Sequence, residues 1–205
     1  RRWGPAGGGG PGRREYGRRR DPVLKPWKAT IRRRKNSIRE ALAKGLSNLL
    51  RRYVVARRPP DFTIGGAASP TMHRWWVLPR NDYFNVYLHM IVDDDRDREL
   101  HDHRGLNLSF VLDGRHGYVE LLPTDPANPA GPTVRHARPR GSLTLRRATD
   151  PHRVVLYRDE DGDQEPALSL FVMLLPGQEW GFYCPQGWVP WQRYLARRDS
   201  AGGSC

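Results

Sequence analysis

Between Ser37 and Tyr53 the apolar positions Ile38, Ala41, Leu42, Leu46, Leu49, Leu50 and Tyr53 recur at helical spacing. Ser37-Ile38-Arg39-Glu40 reads as a capping box, with Ser37 as N-cap and Glu40 reaching back to it. The pattern predicts one amphipathic helix over 38–54, whose stripe packs on the following domain or on a second copy of the chain. From Pro59 onward the period changes to short β-type runs separated by turns. These runs cover 73–78, 83–92, 106–112, 117–122, 133–136, 142–146, 152–157, 167–175, 181–183 and 189–194. Asp113-Gly114, the Pro-rich stretch 123–132 and the segment 159–165 carry turn chemistry. The carboxylates of 159–165 lack the spacing of a calcium loop, so a charged hairpin tip is expected there. Many short antiparallel strands without an internal repeat argue for a sandwich or barrel.

Charge divides the chain more sharply than hydropathy does. Residues 1–35 hold 13 Lys+Arg against 2 Asp+Glu, a net +11, and residues 36–58 hold 6 against 1, a net +5. Residues 59–205 hold 16 against 19, a net −3. The basic part is rich in Gly, Pro and Arg and has too few apolar residues to fold alone, so a disordered arm is expected over 1–35. Such an arm attracts phosphate without reading sequence, and Trp3, Tyr16 and Trp27 could stack on bases. A solvated tail is the simpler reading. No apolar run reaches the roughly eighteen residues of a membrane span, and no secretory signal is visible in the first residues. With only Cys184 and Cys205, free thiols in a reducing, cytoplasmic setting are expected.

The chemistry concentrates around His101-Asp102-His103, which precedes the run 106–112. In extended chain, positions two apart face the same way, so His101 and His103 can aim at one point while Asp102 faces away. His152 follows Asp150-Pro151 and opens another apolar run, 154–157. Imidazoles with an oxygen ligand suit Fe(II), Mn(II), Ni(II), Co(II) or Zn(II), and three protein ligands leave coordination positions open. Arg74, Arg80 and Arg104 are candidates to clamp an acidic substrate or a 2-oxo acid, because guanidinium binds carboxylate bidentately. Trp75, Trp76, Tyr83 and Tyr87 read as core or pocket lining, and Cys184 as a buried structural thiol. His73, His116 and His136 have no mutual spacing that forms a second site, and His89 stands as a reserve ligand.

His101-x-His103, a following strand, a Gly-bearing turn, and Gly141 with Pro151-His152 after it resemble the two-motif pattern of cupins. The resemblance covers about residues 70–195. It implies a mainly β, double-stranded β-helix (a jelly-roll barrel) over 59–196, preceded by the amphipathic helix at 36–58 and the basic arm, with a flexible tail at 197–205. It also implies one divalent metal held by His101, His103 and His152. The departure is the glutamate that cupins place four or five residues after the second histidine, where this chain has Asn107 and Leu108. Glu120, across the hairpin at 113–117, is the nearest carboxylate able to complete a three-His-one-Glu set; otherwise the site has three histidines. The closing stretch 180–191 also looks like that of bacterial and phage cupin-like proteins.

What the resemblance implies for activity is a metal-dependent enzyme, first an Fe(II) oxygenase (a dioxygenase or hydroxylase) acting on a small polar or acidic substrate. In that scheme 2-oxoglutarate is a candidate co-substrate, and Glu120 or Tyr118 is the nearest proton-handling group. Isomerisation, in which the metal only polarises a carbonyl, is the second expectation. A non-catalytic metal-binding module whose arm docks on nucleic acid or an assembly is the third, because one fold hosts many functions.

Overall fold

The computed structural model describes residues 26–66, 68–201 and 205. The first helix, α1, spans Pro26–Leu50 and runs on through one π-type turn, Arg51–Val55. It therefore begins well before the capping box, with proline at its first position, where the missing N–H costs nothing. Ser37 and Glu40 lie inside the helix, exposed, and residues 26–35 are helical rather than part of an arm. The rest of the arm, residues 1–25, lies outside the described residues.

Eleven strands follow: β1 Phe62–Ile64, β2 Met72–Trp76, β3 Phe84–Ile91, β4 Leu106–Asp113, β5 Tyr118–Pro123, β6 Thr133–Arg138, β7 Leu143–Arg146, β8 Arg153–Leu156, β9 Ala167–Leu174, β10 Gly181–Cys184 and β11 Gly187–Pro190. A second helix, α2, occupies Trp191–Ala201. All pairings are antiparallel. They build a six-stranded sheet in the order β1-β2-β3-β9-β4-β7, a three-stranded sheet β6-β5-β8, and the hairpin β10-β11.

The two larger sheets face one another. Their shared core joins Ile91, Val111 and Ala167 of the large sheet to Tyr118, Val154 and Leu156 of the small one. The strand pattern predicted such a mainly β arrangement, and the resemblance implied its jelly-roll form. On the opposite face of the large sheet, Trp75, Leu88, Leu112 and Leu168 pack under Leu50, Leu46 and Val54 of the helical segment. Gly141, at φ +83°, sits so close under the helix that a Cβ there would lie 3.0 Å from the Glu40 nitrogen. The expected apolar stripe of α1 thus splits into two faces, one on the sheet and one exposing Ile38, Leu42, Leu49 and Tyr53.

At the C-terminal end the expected strand over 189–194 stops at Pro190, and the chain turns helical at Trp191. Tyr194 is fully buried against Phe182 and Cys184. Cys184 is not a free thiol: it is bonded to Cys205, so the expectation of two free thiols is corrected, and residues 197–201 of the expected tail are helical. A half-cystine was not legible from one aromatic-flanked cysteine and one terminal one, because only the return of α2 brings them together.

Candidate metal centre

His101 and His103 lie on the extended segment just before β4 rather than inside it. His101 pairs across two isolated bridges, with His152 on one side and Phe182 on the other. Reciprocal backbone bonds of 2.9 Å between His101 and His152 fix that junction. It ties the start of β8 to the approach to β4, where the large and small sheets meet. The alternation expected from sequence holds, with both histidine rings turned inward and Asp102 turned the other way.

Asp102 is nonetheless buried. Its carboxylate accepts hydrogen bonds from the Gly181 N–H (2.7 Å), the Trp188 indole (3.0 Å) and the Tyr183 hydroxyl (3.2 Å). Burial raises its pKa, against the pull of those donors, and burial together with the Asp102 charge pushes Tyr183 up to about 12. Asp102 thus pins the β10-β11 hairpin beneath the histidine pair. Sequence showed that it faces away, but not that something waits on the other side.

The donor nitrogens of His101, His103 and His152 all lie within 4.8 Å of one another. His103 Nε2 and His152 Nε2 are 2.8 Å apart, and the three ring centroids are separated by 4.9 to 5.4 Å. Two ligands each about 2.0–2.1 Å from one ion lie no more than about 4.2 Å apart, and the His103–His152 pair is already within that reach. Burial holds His103 and His152 well below the ordinary histidine pKa, reinforced by the neighbouring rings and by the positive charge of Arg146. Both rings are neutral near pH 7 and keep a lone pair for a metal. The donor set fits a divalent transition metal.

Glu120 points inward, as expected, yet it does not join the donor set. It is completely buried, and its carboxylate is held by Arg146 and by Arg138 Nε at 2.7 Å. Its Oε1 also lies 3.3 Å from His152 Nδ1, although Nδ1 has no well-formed hydrogen bond. Glu120 therefore stands behind the histidine, where a carboxylate favours the tautomer with the proton on Nδ1 and frees Nε2 for the site. In this structure two guanidinium groups hold the oxygens that the fourth-ligand expectation would have turned toward the histidines. Tyr118 is likewise unsuited to proton handling, being enclosed in the core between the sheets, where burial raises its pKa.

The remaining candidates scatter. His89 is buried, but its Nε2 accepts a 2.9 Å hydrogen bond from Arg74 Nε, so it is not a reserve ligand. His89 stacks on Phe171 at 5.1 Å, and Phe171 in turn lies 5.4 Å from His103. Arg80 lies over Trp76 at 5.5 Å and is exposed, as is Arg104, which contributes its backbone oxygen to Gly177 and Gln178. Sequence reasoning missed Arg138, Arg146 and Phe171. Arg146 carried a weak signal, as an arginine in phase with the inward positions of its strand.

No protein-family model matches the chain, and no curated protein matches it. Among solved structures the chain is similar to cupin-domain proteins. One is the Fe(II) form of HppE, at 15% identity and a TM-score of 0.41, covering 57% of this chain and 57% of that one. Another is the DMSP lyase DddQ from Ruegeria pomeroyi DSS-3, at 17% identity and a TM-score of 0.36, covering 58% and 54%. A third is a cupin domain from Bordetella pertussis Tohama I, at 15% identity and a TM-score of 0.36, covering 53% of this chain and 98% of that one.

Proposed function

We propose that the chain is a metal-dependent enzyme of the cupin type, an Fe(II) oxygenase acting on a small polar or acidic molecule. The observation that carries this reading is the convergence of three imidazoles, two of them held neutral, at the junction of two sheets. A divalent ion bound there supplies Lewis-acid and dioxygen-binding chemistry through its open positions. The chain's own contribution is to hold the donors: the His101–His152 bridge sets their spacing, Asp102 anchors the backbone between the pair, and Glu120 orients His152. Phe171 supplies a dry wall beside His103. Iron is favoured over manganese, nickel, cobalt or zinc, and 2-oxoglutarate is a candidate co-substrate.

Metal analysis of anaerobically purified protein, followed by oxygen-consumption screening with and without 2-oxoglutarate, tests the proposal. Substoichiometric metal of every kind would remove it. Bound metal without oxygen uptake would favour the second reading, a metal-binding module, which the +11 on residues 1–35 supports by suggesting a nucleic-acid or assembly partner.

A further inference from the structure

Residues 180–201 form a cap on the segment that carries His101 and His103. The Tyr183 N–H bonds to the Leu100 oxygen at 2.9 Å, and the Asp102 N–H to the Gly181 oxygen at 3.1 Å. From this cap Trp180 stands edge-on to the His101 ring at 6.3 Å, and Phe182 lies 6.0 Å from it. Both rings are backed by α2. Trp180 stacks on Trp191 at 5.7 Å and Phe182 on Tyr194 at 3.8 Å, while α2 packs on β10 and β11. The wall beside His101 is therefore only as firm as the seating of α2.

That seating needs help from outside the helix. α2 has 11 residues, and helices shorter than about 12 residues are marginal in water without tertiary packing. Its packing is one small cluster, Phe182, Cys184 and Tyr194, with Trp191 and Leu195 against it. A second tie is covalent: Cys205, beyond its last turn, is bonded to Cys184 on β10, 21 residues earlier. Because β10 is itself held to Leu100 and Asp102, a cap that opens between the two cysteines stays tethered at both ends. A cross-link over a loop of this size disfavours the opened chain roughly 100-fold. The two residues differ in access. Cys184 is 3% exposed, whereas Cys205 lies open to solvent.

We propose that the Cys184–Cys205 bond is a thiol–disulfide exchange site for a dithiol, and that its state sets how firmly the cap holds the wall beside His101. A thiolate of the dithiol attacks the exposed Cys205 Sγ, the S–S bond breaks, and the electron pair leaves on Cys184 Sγ, which takes a proton. The Cys184 thiol stays beside the mixed disulfide and reverses attack by a single thiol, so the second thiol of the dithiol completes the release. That second thiol attacks its own partner sulfur, frees Cys205 as a thiol, and leaves the dithiol oxidised. Two electrons and two protons pass to the cysteine pair, and a disulfide oxidant reverses the step. The effect on metal rests on the metal-dependent reading; the effect on the cap does not.

Thiol counting on the full chain tests the exchange, with dithiothreitol as the dithiol. Two thiols appear together in the native protein and vanish again when oxidised dithiothreitol is supplied. A bond that is reduced only after unfolding, or thiols that never pair, overturn the site, and equal release by glutathione overturns the dithiol assignment. Hydrogen exchange read by mass spectrometry follows the cap. In reduced wild type and in Cys205→Ser, amides of 187–197 exchange about ten-fold faster or more than in oxidised wild type, while those of β3 do not change. Circular dichroism checks that Cys205→Ser is folded; if it is not, reduced wild type decides. Equal exchange in the oxidised and reduced states overturns the dependence of the cap on the bond. Metal release is compared without reductant, as loss of Co(II) to a chelator from oxidised wild type and from Cys205→Ser. The variant loses it about ten-fold faster or more, and equal release despite a loosened cap overturns the link to the triad. Failure of both proteins to retain Co(II) removes the triad reading alone, and the thiol and exchange measurements still decide the cap.

Discussion

At the scale of single residues the site rests on which atom of each side chain is already occupied. His101, His103 and His152 leave nitrogens converging on one point, so changing any one to alanine should cut bound metal at least ten-fold, read by elemental analysis after dialysis. Asp102→Ala should act differently. It strands the buried Gly181 N–H and takes an acceptor from the Trp188 indole and the Tyr183 hydroxyl, and should lower unfolding stability by about 2 kcal/mol, with metal loss only as a consequence of the loosened hairpin. Denaturant melts in the presence of metal check this. Glu120→Gln tests the carboxylate behind His152. Loss of such an outer partner weakens metal by about 10–100-fold, and leaving Arg138 and Arg146 without their shared counter-ion should cost about 3 kcal/mol. If Glu120→Gln retains metal and stability alike, the carboxylate does neither job.

Among elements, the contact most open to test is that between α1 and the barrel. Ser47 Oγ and Arg51 both reach Asp113 Oδ2, at 3.3 and 3.0 Å, and Arg140 lies 3.6 Å from Oδ1. Burial raises the Asp113 pKa, but the Gly114 N–H and the Arg51 charge outweigh it, and the net shift is downward. A carboxylate depressed on folding stabilises above its unfolded pKa of about 3.9 and loses that contribution as pH falls through its lower folded value. Wild type should therefore shed part of its stability below about pH 4, and Asp113→Asn should flatten that limb of the profile, as followed by thermal melts across pH. Identical acid limbs in the two proteins would show that the tether carries no weight. Gly141→Ala, by contrast, should loosen the helix at every pH, because the added methyl meets helix backbone rather than a movable side chain.

For the whole molecule the separation of charge sets a testable expectation about partners. Affinity for nucleic acid should reside in the net +11 of residues 1–35 rather than in the body, whose charge is −3. It should fall steeply with salt and show little sequence preference, since each neutralised phosphate releases counterion. Because α1 begins at Pro26, the comparison should use a chain starting there, which keeps the helix whole. Duplex and single strands at two salt concentrations give the readout; the shortened chain loses the net +6 of residues 1–25 and keeps the +5 of residues 26–35, so equal binding by both lengths would place the contact outside residues 1–25. The outward face of α1, with Ile38, Leu42, Leu49 and Tyr53 exposed, is where the second-copy expectation is best checked, by sedimentation of the full chain.

Sequence alone determined the alternation along each strand, because a two-residue period is a local property of extended backbone. It therefore placed nine of the eleven strands at close to their observed bounds, put His101 and His103 on one side, and nominated His152. It also marked α1 by its period, though not its start. The short β1 strand, which carries too few residues to show a period, was missed, and so was the turn to helix at Trp191, where β-prone aromatic residues are overridden by burial of Tyr194. Tertiary structure alone decided what each inward group meets. Glu120 became a partner of arginines and of the back of a histidine, Asp102 an anchor for a hairpin, and Cys184 half of a disulfide. Those outcomes depend on contacts between residues far apart in the chain, and no local period carries information about which distant donor reaches a buried carboxylate first.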